Sequence, residues 1–396
     1  MKRLEQMLFT AFCAALFAFR AVCFGDTFTN QQTKEVLHGY ATSAAVDGNT
    51  VVHTQEKGVV GLNLSEWRIT ADRLGRNNKV IVLTIDDKIM LEIETDALVE
   101  AIVRSADAGP LFILLEIDTP GGRVDFTRRI CAAITQTNNC PVVAFIMGGQ
   151  YGGALSAGAA VAFACDNIYM SNNTVIGAAA AVAMGGDGLK DLKDSYGEEV
   201  GEKISSAWRT YLASLAEQNN RPGLLACAMV DRDIEVVEVS EAERRLFIDP
   251  VNITPQQHLV HTWSKKGSLL TLTADDAVKC EIADKVVNSR EELLRHLGAA
   301  GTEIVTDDSF QEASKQFSRA KLRFNQLSKS LDFKIKQLQQ TQIRPRALNI
   351  LNEIRKDYKS LVTLAKHYPD LHINIRLLEA QLNTAEALYQ EAKMRR

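Results

Sequence analysis

At 396 residues, 46% apolar and 24% charged, the chain is long enough for two or three units with a sizeable core and too apolar to be disordered. Its net charge of −4 hides an asymmetry: Asp308–Arg396 holds 17 Lys/Arg against 9 Asp/Glu, whereas the preceding residues hold 28 against 40. The seven cysteines form no CxxC pair and have no histidines at metal spacing, so the sequence implies no metal site and no cofactor.

Lys2 and Arg3 precede an apolar run, Met7–Phe19, and small residues near Gly25 offer a cleavage site. Residues 1–25 therefore read as an export signal, which places the protein in the periplasm or at a membrane. The apolar run is short for a span and is closed by Arg20, which favours cleavage over anchoring. Cys131, Cys140, Cys165, Cys227 and Cys280 then remain, read as small buried hydrophobes with room for one disulfide. Residues 26–77 are polar and weakly patterned, and are predicted to be an irregular extension.

From Lys79 the pattern becomes α/β. "VIVLTI" (80–85), "LFILLEI" (111–117), "PVVAFI" (141–146) and "NIYM" (167–170) are apolar runs of buried-strand type. Helical spacing fills residues 91–108, 123–137, 155–165 and 198–219. Residues 267–298 add a strand-helix-strand-helix unit that closes a body spanning 78–300. Alternation of this kind implies parallel strands covered on both faces.

Past Thr306 only helical grammar remains. Phe310, Phe317, Phe324, Leu331 and Leu338 recur every seven residues, with Ala313, Ala320 and Leu327 between them. Pro345 and Pro369 divide this tail (308–396) into helices at about 308–342, 346–367 and 371–394. The seam must bury itself against a hairpin partner or a second subunit.

Pro141–Cys165 contains no charge and is formally long enough to cross a bilayer. Its β-branched and aromatic residues precede the glycines, however, and its alanines follow them. Strand, tight turn and buried helix explain that order; a single helix does not.

Two glycine-rich turns, "IDTPGGRV" (117–124) and "GGQYGGALSAG" (148–158), each follow a buried strand and open a helix. A helix start offers unpaired N–H groups and partial positive charge, which acyl transfer needs where an oxyanion develops. Either motif alone is weak, since PGG is commonly a turn and a serine among alanines is commonly packing. Together, about 35 residues apart with a helix and a strand between, they are far more specific.

"LLEIDTPGGRV", "PVVAFIMGGQYGGALSAGAAVAFACDNIYM" and "LLTLTADDAVKCEIADKVVNS" resemble the ClpP-like serine peptidases of the signal peptide peptidase A and NfeD type, over residues 78–298. The resemblance implies a ClpP/crotonase-like spiral of β-β-α units, here followed by an all-α coiled-coil-like tail. It maps the nucleophile to Ser156, the oxyanion hole to Gly122 and Ala157, and the general base to Lys203. Gly121 and Gly153 become candidates for substrate contact. It also implies a homo-oligomer that cleaves apolar peptides or membrane-protein segments, while the basic tail is a candidate surface for a protein or an anionic surface. Nucleic acid is not an expected partner.

The residues support a lysine base independently. No histidine occurs between His53 and His258, and the only lysines between Ser156 and His258 are Lys190, Lys193 and Lys203. Lys190 and Lys193 sit among aspartates and glycines, in a predicted solvated loop. Lys203 borders an apolar face, and burial there would lower its pKa toward working range. Two alternatives stand: an inactive ClpP-like scaffold that binds a partner, and a crotonase-type acyl-CoA enzyme. The latter lacks its acid and base, because no glutamate occurs between Glu116 and Glu198.

Overall fold

The computed structural model describes residues 26–46, 48–54, 56–70, 79–185, 188–242, 244–299 and 302–394, so the expected export signal lies outside the described residues. Two compact units emerge. One comprises the chain up to Lys88 together with Ala101–Asp307, and the other comprises Ile89–Glu100 and the chain from Asp308 onward.

In the first unit, the stretch expected to be irregular forms an antiparallel sheet. Its strands are Asp26–Asn30 (β1), Val36–Val46 (β2), Asn49–Thr54 (β3), Gly58–Leu62 (β4) and Trp67–Thr70 (β5), in the order β4-β3-β2-β1-β5. Phe28, Leu37, Val52, Leu62 and Trp67 form its small core. Each large apolar residue comes from a different strand, so no window of sequence shows strong alternation.

The chain continues as Lys79–Ile85 (β6), Glu92–Asp107 (α1, whose residues up to Glu100 belong to the second unit), Phe112–Ile117 (β7), Val124–Thr135 (α2), Val142–Ile146 (β8), Gly153–Leu155 (β9), Ala157–Ala164 (α3), Asn167–Met170 (β10) and Val175–Gly177 (β11). A hairpin, Val182–Gly185 (β12) and Gly188–Asp191 (β13), stands where a solvated loop was expected. Then come Leu192–Tyr196 (α4), Glu198–Gln218 (α5) and Gly223–Val230 (α6). Val236–Glu241 (β14), Arg244–Ile248 (β15) and His258–Ser264 (β16) make a separate antiparallel sheet. Thr271–Thr273 (β17), Ala274–Lys279 (α7), Lys285–Val286 (β18), Arg290–His296 (α8) and Glu303–Asp307 (β19) complete the unit.

The main sheet is parallel throughout, in the order β18-β10-β8-β7-β6-β19. All residues of β7 and β8 are buried, which is why these strands read as unbroken apolar runs. A second layer, β17-β11-β9, carries the end of the second glycine-rich turn. Pro141–Cys165 is thus strand, loop, short strand and an eight-residue helix whose every residue is buried, not a membrane span. Among the described residues no helix is long and apolar enough to cross a membrane. No disulfide joins the described cysteines.

The second unit contains Ser309–Gln340 (α9), Arg344–His367 (α10) and Ile375–Met394 (α11). The heptad seam is buried at Phe310, Ala313, Phe317, Ala320, Leu327 and Leu331. Leu327 and Leu331 pack with Ile350, Ile354, Tyr358 and Leu361 of α10, so this part of the seam finds its hairpin partner within the chain. Lys334–Asp357 (2.8 Å) and Lys366–Glu379 (2.7 Å) tie the helices at their margins. The Asp370 carboxylate caps α1, accepting the Glu92 N–H at 2.9 and 3.0 Å.

Candidate active site

The two glycine-rich turns are laced together by backbone. The Thr119 N–H donates to Gly153 O (2.9 Å), and the Leu155 N–H donates to Thr119 O (3.0 Å). Thr119 Oγ1 accepts the Gly121 N–H (3.1 Å), which curls the PGG turn. Gly121 has φ +121°, and a Cβ there would lie 2.7 Å from Ser156 Cβ and 3.1 Å from its Oγ. Only glycine admits the serine this closely. Gly122 is the next residue of the same turn.

Ser156 stands between β9 and α3 with φ 52° and ψ −111°. This conformation is outside the usual regions for an L-residue and costs about 1–3 kcal/mol. Its N–H donates to Gly177 O (2.9 Å), and its C=O accepts the Ala159 N–H (3.1 Å). The side chain is half-buried, does not cap the helix, and has no hydrogen-bond partner among the described residues. A strained serine at a strand-to-helix turn is the arrangement that exposes a nucleophilic hydroxyl. Ala157 opens α3, so its N–H has no intrahelical acceptor.

Both backbone polar groups of Gly153 are engaged. Its C=O accepts from Thr119, its N–H donates to Asp118 Oδ1 (3.0 Å), and a Cβ on it would lie 2.1 Å from Val175 O. Its role is to let β9 lie against β11. Gly121 is likewise buried, with its amide engaged, so its part in the site is to make room for Ser156.

The sequence reading missed Asp118. This buried carboxylate accepts the Gly153 N–H on one oxygen and the Tyr151 N–H on the other (3.1 Å), holding the GGQYGG loop to the end of β7. An acid at the end of an apolar strand, two residues before PGG, was the available signal. The Tyr151 hydroxyl donates to Asp87 (2.7 Å), and this bond to a carboxylate raises the phenol's pKa.

Helix α5 is tied to the same region. The Trp208 indole N–H donates to Ala179 O (2.8 Å), and Ala179 N–H donates to Met229 O (2.6 Å). Gly177, whose carbonyl receives the Ser156 amide, lies two residues before Ala179. Lys203 is five residues before Trp208, about 7.5 Å along the helix axis. Its side chain is 72% exposed and donates to Glu199 Oε1 at 2.7 Å. The expected burial is therefore not seen: the buried stripe of α5 runs through Gly201, Trp208, Leu212, Leu215 and Ala216, and Lys203 falls outside it. No hydrogen bond joins Lys203 to Ser156 in this arrangement.

Of the rival lysines, Lys190 lies on β13, and Lys193 pairs with Glu198 (2.9 Å) and Glu202 (3.5 Å). The bond to Glu198, first of all, raises the Lys193 pKa and holds it protonated. A polar cleft of about 650 Å³ beyond Ala180 and Ala181 is bordered by Gly201, Ser205 and Val230, with Asp191, Asp194 and Asp233 among its acids. Among the described residues no group of His, Cys, Asp or Glu is arranged to hold a metal ion.

Two further buried groups frame the body. Glu116 of β7 accepts both Nε (2.6 Å) and a terminal nitrogen (2.7 Å) of Arg290, which pins α8 to the main sheet. Arg221 is buried and donates to the carbonyls of Ile282 (3.0 Å), Cys165 (3.2 Å) and Asp166 (3.0 Å), satisfying the chain after α3.

A parallel sheet, a second layer and a strained serine beside a PGG turn define the α/β body. Residues 79–257 match the family model of the NfeD1b N-terminal domain. The membrane protein NfeD1b of Bacillus subtilis (strain 168) is 30% identical over 212 residues, which are 53% of this chain and 40% of that protein. The chain thus spans less than half the length of this curated relative. Among solved structures, a serine-to-alanine mutant of the 1510-N membrane-bound stomatin-specific protease is similar at 21% identity, covering 58% of this chain and 98% of that one, with TM-score 0.43. A lysine-to-alanine mutant of the same protease with a substrate peptide gives 23% identity over 55% and 80%, with TM-score 0.40. The 1510-N protease from Pyrococcus horikoshii, specific for a stomatin homolog, gives 20% over 58% and 92%, with TM-score 0.37. Residues 79–257 are thus similar to the N-terminal domain of NfeD1b proteins.

Proposed function

We propose that this protein is an exported or membrane-associated serine endopeptidase that cleaves apolar peptides or membrane-protein segments through a Ser156–Lys203 dyad. The observation that carries the reading is the strained Ser156 at the mouth of α3, in contact range of the PGG turn. Ser156 Oγ attacks the scissile carbonyl while neutral Lys203 takes its proton. The Ala157 and Gly122 amides stabilise the oxyanion. The C–N bond breaks as Lys203 returns the proton to the leaving amine, and water then hydrolyses the acyl-enzyme with Lys203 as base. For this, Lys203 must leave Glu199.

That ion pair favours a second reading, a ClpP-like scaffold that binds peptide without cutting it. Labelling the full chain with a serine-directed phosphonate, with site mapping, separates the two. The peptidase reading expects a single label on Ser156, loss of label and turnover in Ser156→Ala, and loss of turnover in Lys203→Ala. An unlabelled protein that still binds apolar peptide would be the scaffold.

A further inference from the structure

The tail carries a surface that peptidase chemistry does not use. Helix α9 buries one face, yet its opposite face exposes two large apolar side chains, Leu322 (60%) and Phe333 (63%). Eleven residues separate them, three helical turns and about 16 Å, so they point in nearly the same direction. At the same angular position, within about 60° on either side, stand Lys315, Arg319, Lys329 and Lys336, all exposed. Lys315 pairs with Glu312, but Arg319, Lys329 and Lys336 have no ion-pair partner among the described residues. Beside this face, a groove of about 630 Å³ between α9 and α10 is edged by Arg323, Lys356 and Lys359. These three cations also lack a carboxylate partner among the described residues.

We propose that this face of α9, with the adjoining groove, docks flat on an anionic phospholipid bilayer. Cations alone would suit any polyanion. Two large apolar groups placed between the cations suit a bilayer, where headgroups meet the charges and Leu322 and Phe333 sink below them. An acidic protein or nucleic acid would leave those side chains in water.

The test uses the full chain, so that any contribution from residues 1–25 is common to every arm. Phe333→Trp is compared with Leu388→Trp, at an exposed position on α11, in vesicles containing brominated acyl chains. With phosphatidylcholine/phosphatidylglycerol vesicles, fluorescence from Trp at 333 is quenched by the bromines and that from 388 is not. The quenching weakens in pure phosphatidylcholine and in high salt. Replacing Lys329 and Lys336 by glutamine weakens vesicle association about fivefold for each lysine. Quenching equal at the two positions overturns the proposal, as does quenching at 333 that ignores lipid charge and salt. Competition by heparin with no change at position 333 on adding vesicles assigns the face to a soluble polyanion instead and also overturns it.

Discussion

Replacing Gly121 by alanine tests the central geometric claim. The new Cβ would stand 2.7 Å from Ser156 Cβ, whereas carbons rest at about 3.5–4.0 Å. The serine must therefore give by about 1 Å, and a displacement of that size costs on the order of 10²-fold in rate. The backbone adds its own penalty, because φ of +121° is open to glycine and costs an L-residue about 1–3 kcal/mol. At about 2–4 °C per kcal/mol for a unit of this size, the melting temperature falls by roughly 2–12 °C. Gly152→Ala is the control: φ is +74°, but nothing lies within 4 Å of its added Cβ. It suffers only the backbone cost, about 1–2 kcal/mol, and keeps the serine in place. Phosphonate labelling rate, peptide turnover and calorimetry on the two variants measure both terms. Equal labelling rates for Gly121→Ala and wild type, or equal losses for the two variants, would refute the argument.

Other expectations follow from the same structure. Arg290→Met strands the buried Glu116 carboxylate and lowers stability by about 3 kcal/mol, with Arg290 itself one-third exposed; adding Glu116→Leu recovers most of the loss, and a denaturant series that finds no recovery counts against burial as the cause. The Arg245 guanidinium, chiefly through its hydrogen bond, holds the Glu238 carboxyl below its ordinary value of 4.5. Its folded pKa is depressed, so the associated stability is present above the unfolded pKa and disappears as pH falls through the folded one. Glu238→Gln should accordingly flatten part of the acid limb of a melting-temperature profile, and parallel limbs would contradict this. Because a lysine base works only as the neutral amine, turnover should rise toward alkaline pH; control by a group titrating near 6.5, as histidine does, would remove the dyad.

The parallel core was legible because strands buried on both faces write themselves as apolar runs, as in Phe112–Ile117 and Val142–Ile146. The tail was legible through its seven-residue period. The sheet over residues 26–70 was not, because it draws one core residue from each short strand. Strand β14 was hidden by Glu238, a buried acid tolerable only because Arg245, from the neighbouring strand, and the Trp263 indole meet it. Ser156 and its turn could be found from residue order alone. The environment of Lys203 could not: helical spacing places the residue, but the choice between Glu199 and the serine depends on side-chain direction.

The fastening of the GGQYGG loop bears on which sequences can keep this site. Both Asp118 oxygens are occupied as acceptors of backbone N–H groups. Asparagine would turn an amide donor against one of those donors, leaving a mismatch worth about 1–3 kcal/mol. Glutamate would bring an extra methylene into a pocket where the Gly149 backbone approaches so closely that a Cβ would lie 2.5 Å from Asp118 Oδ2. Position 118 is thus nearly closed to neutral drift although it takes no part in the chemistry. An aspartate there, one residue before the threonine that precedes PGG, is a mark by which divergent chains with the same loop could be recognised even after the serine itself has been lost.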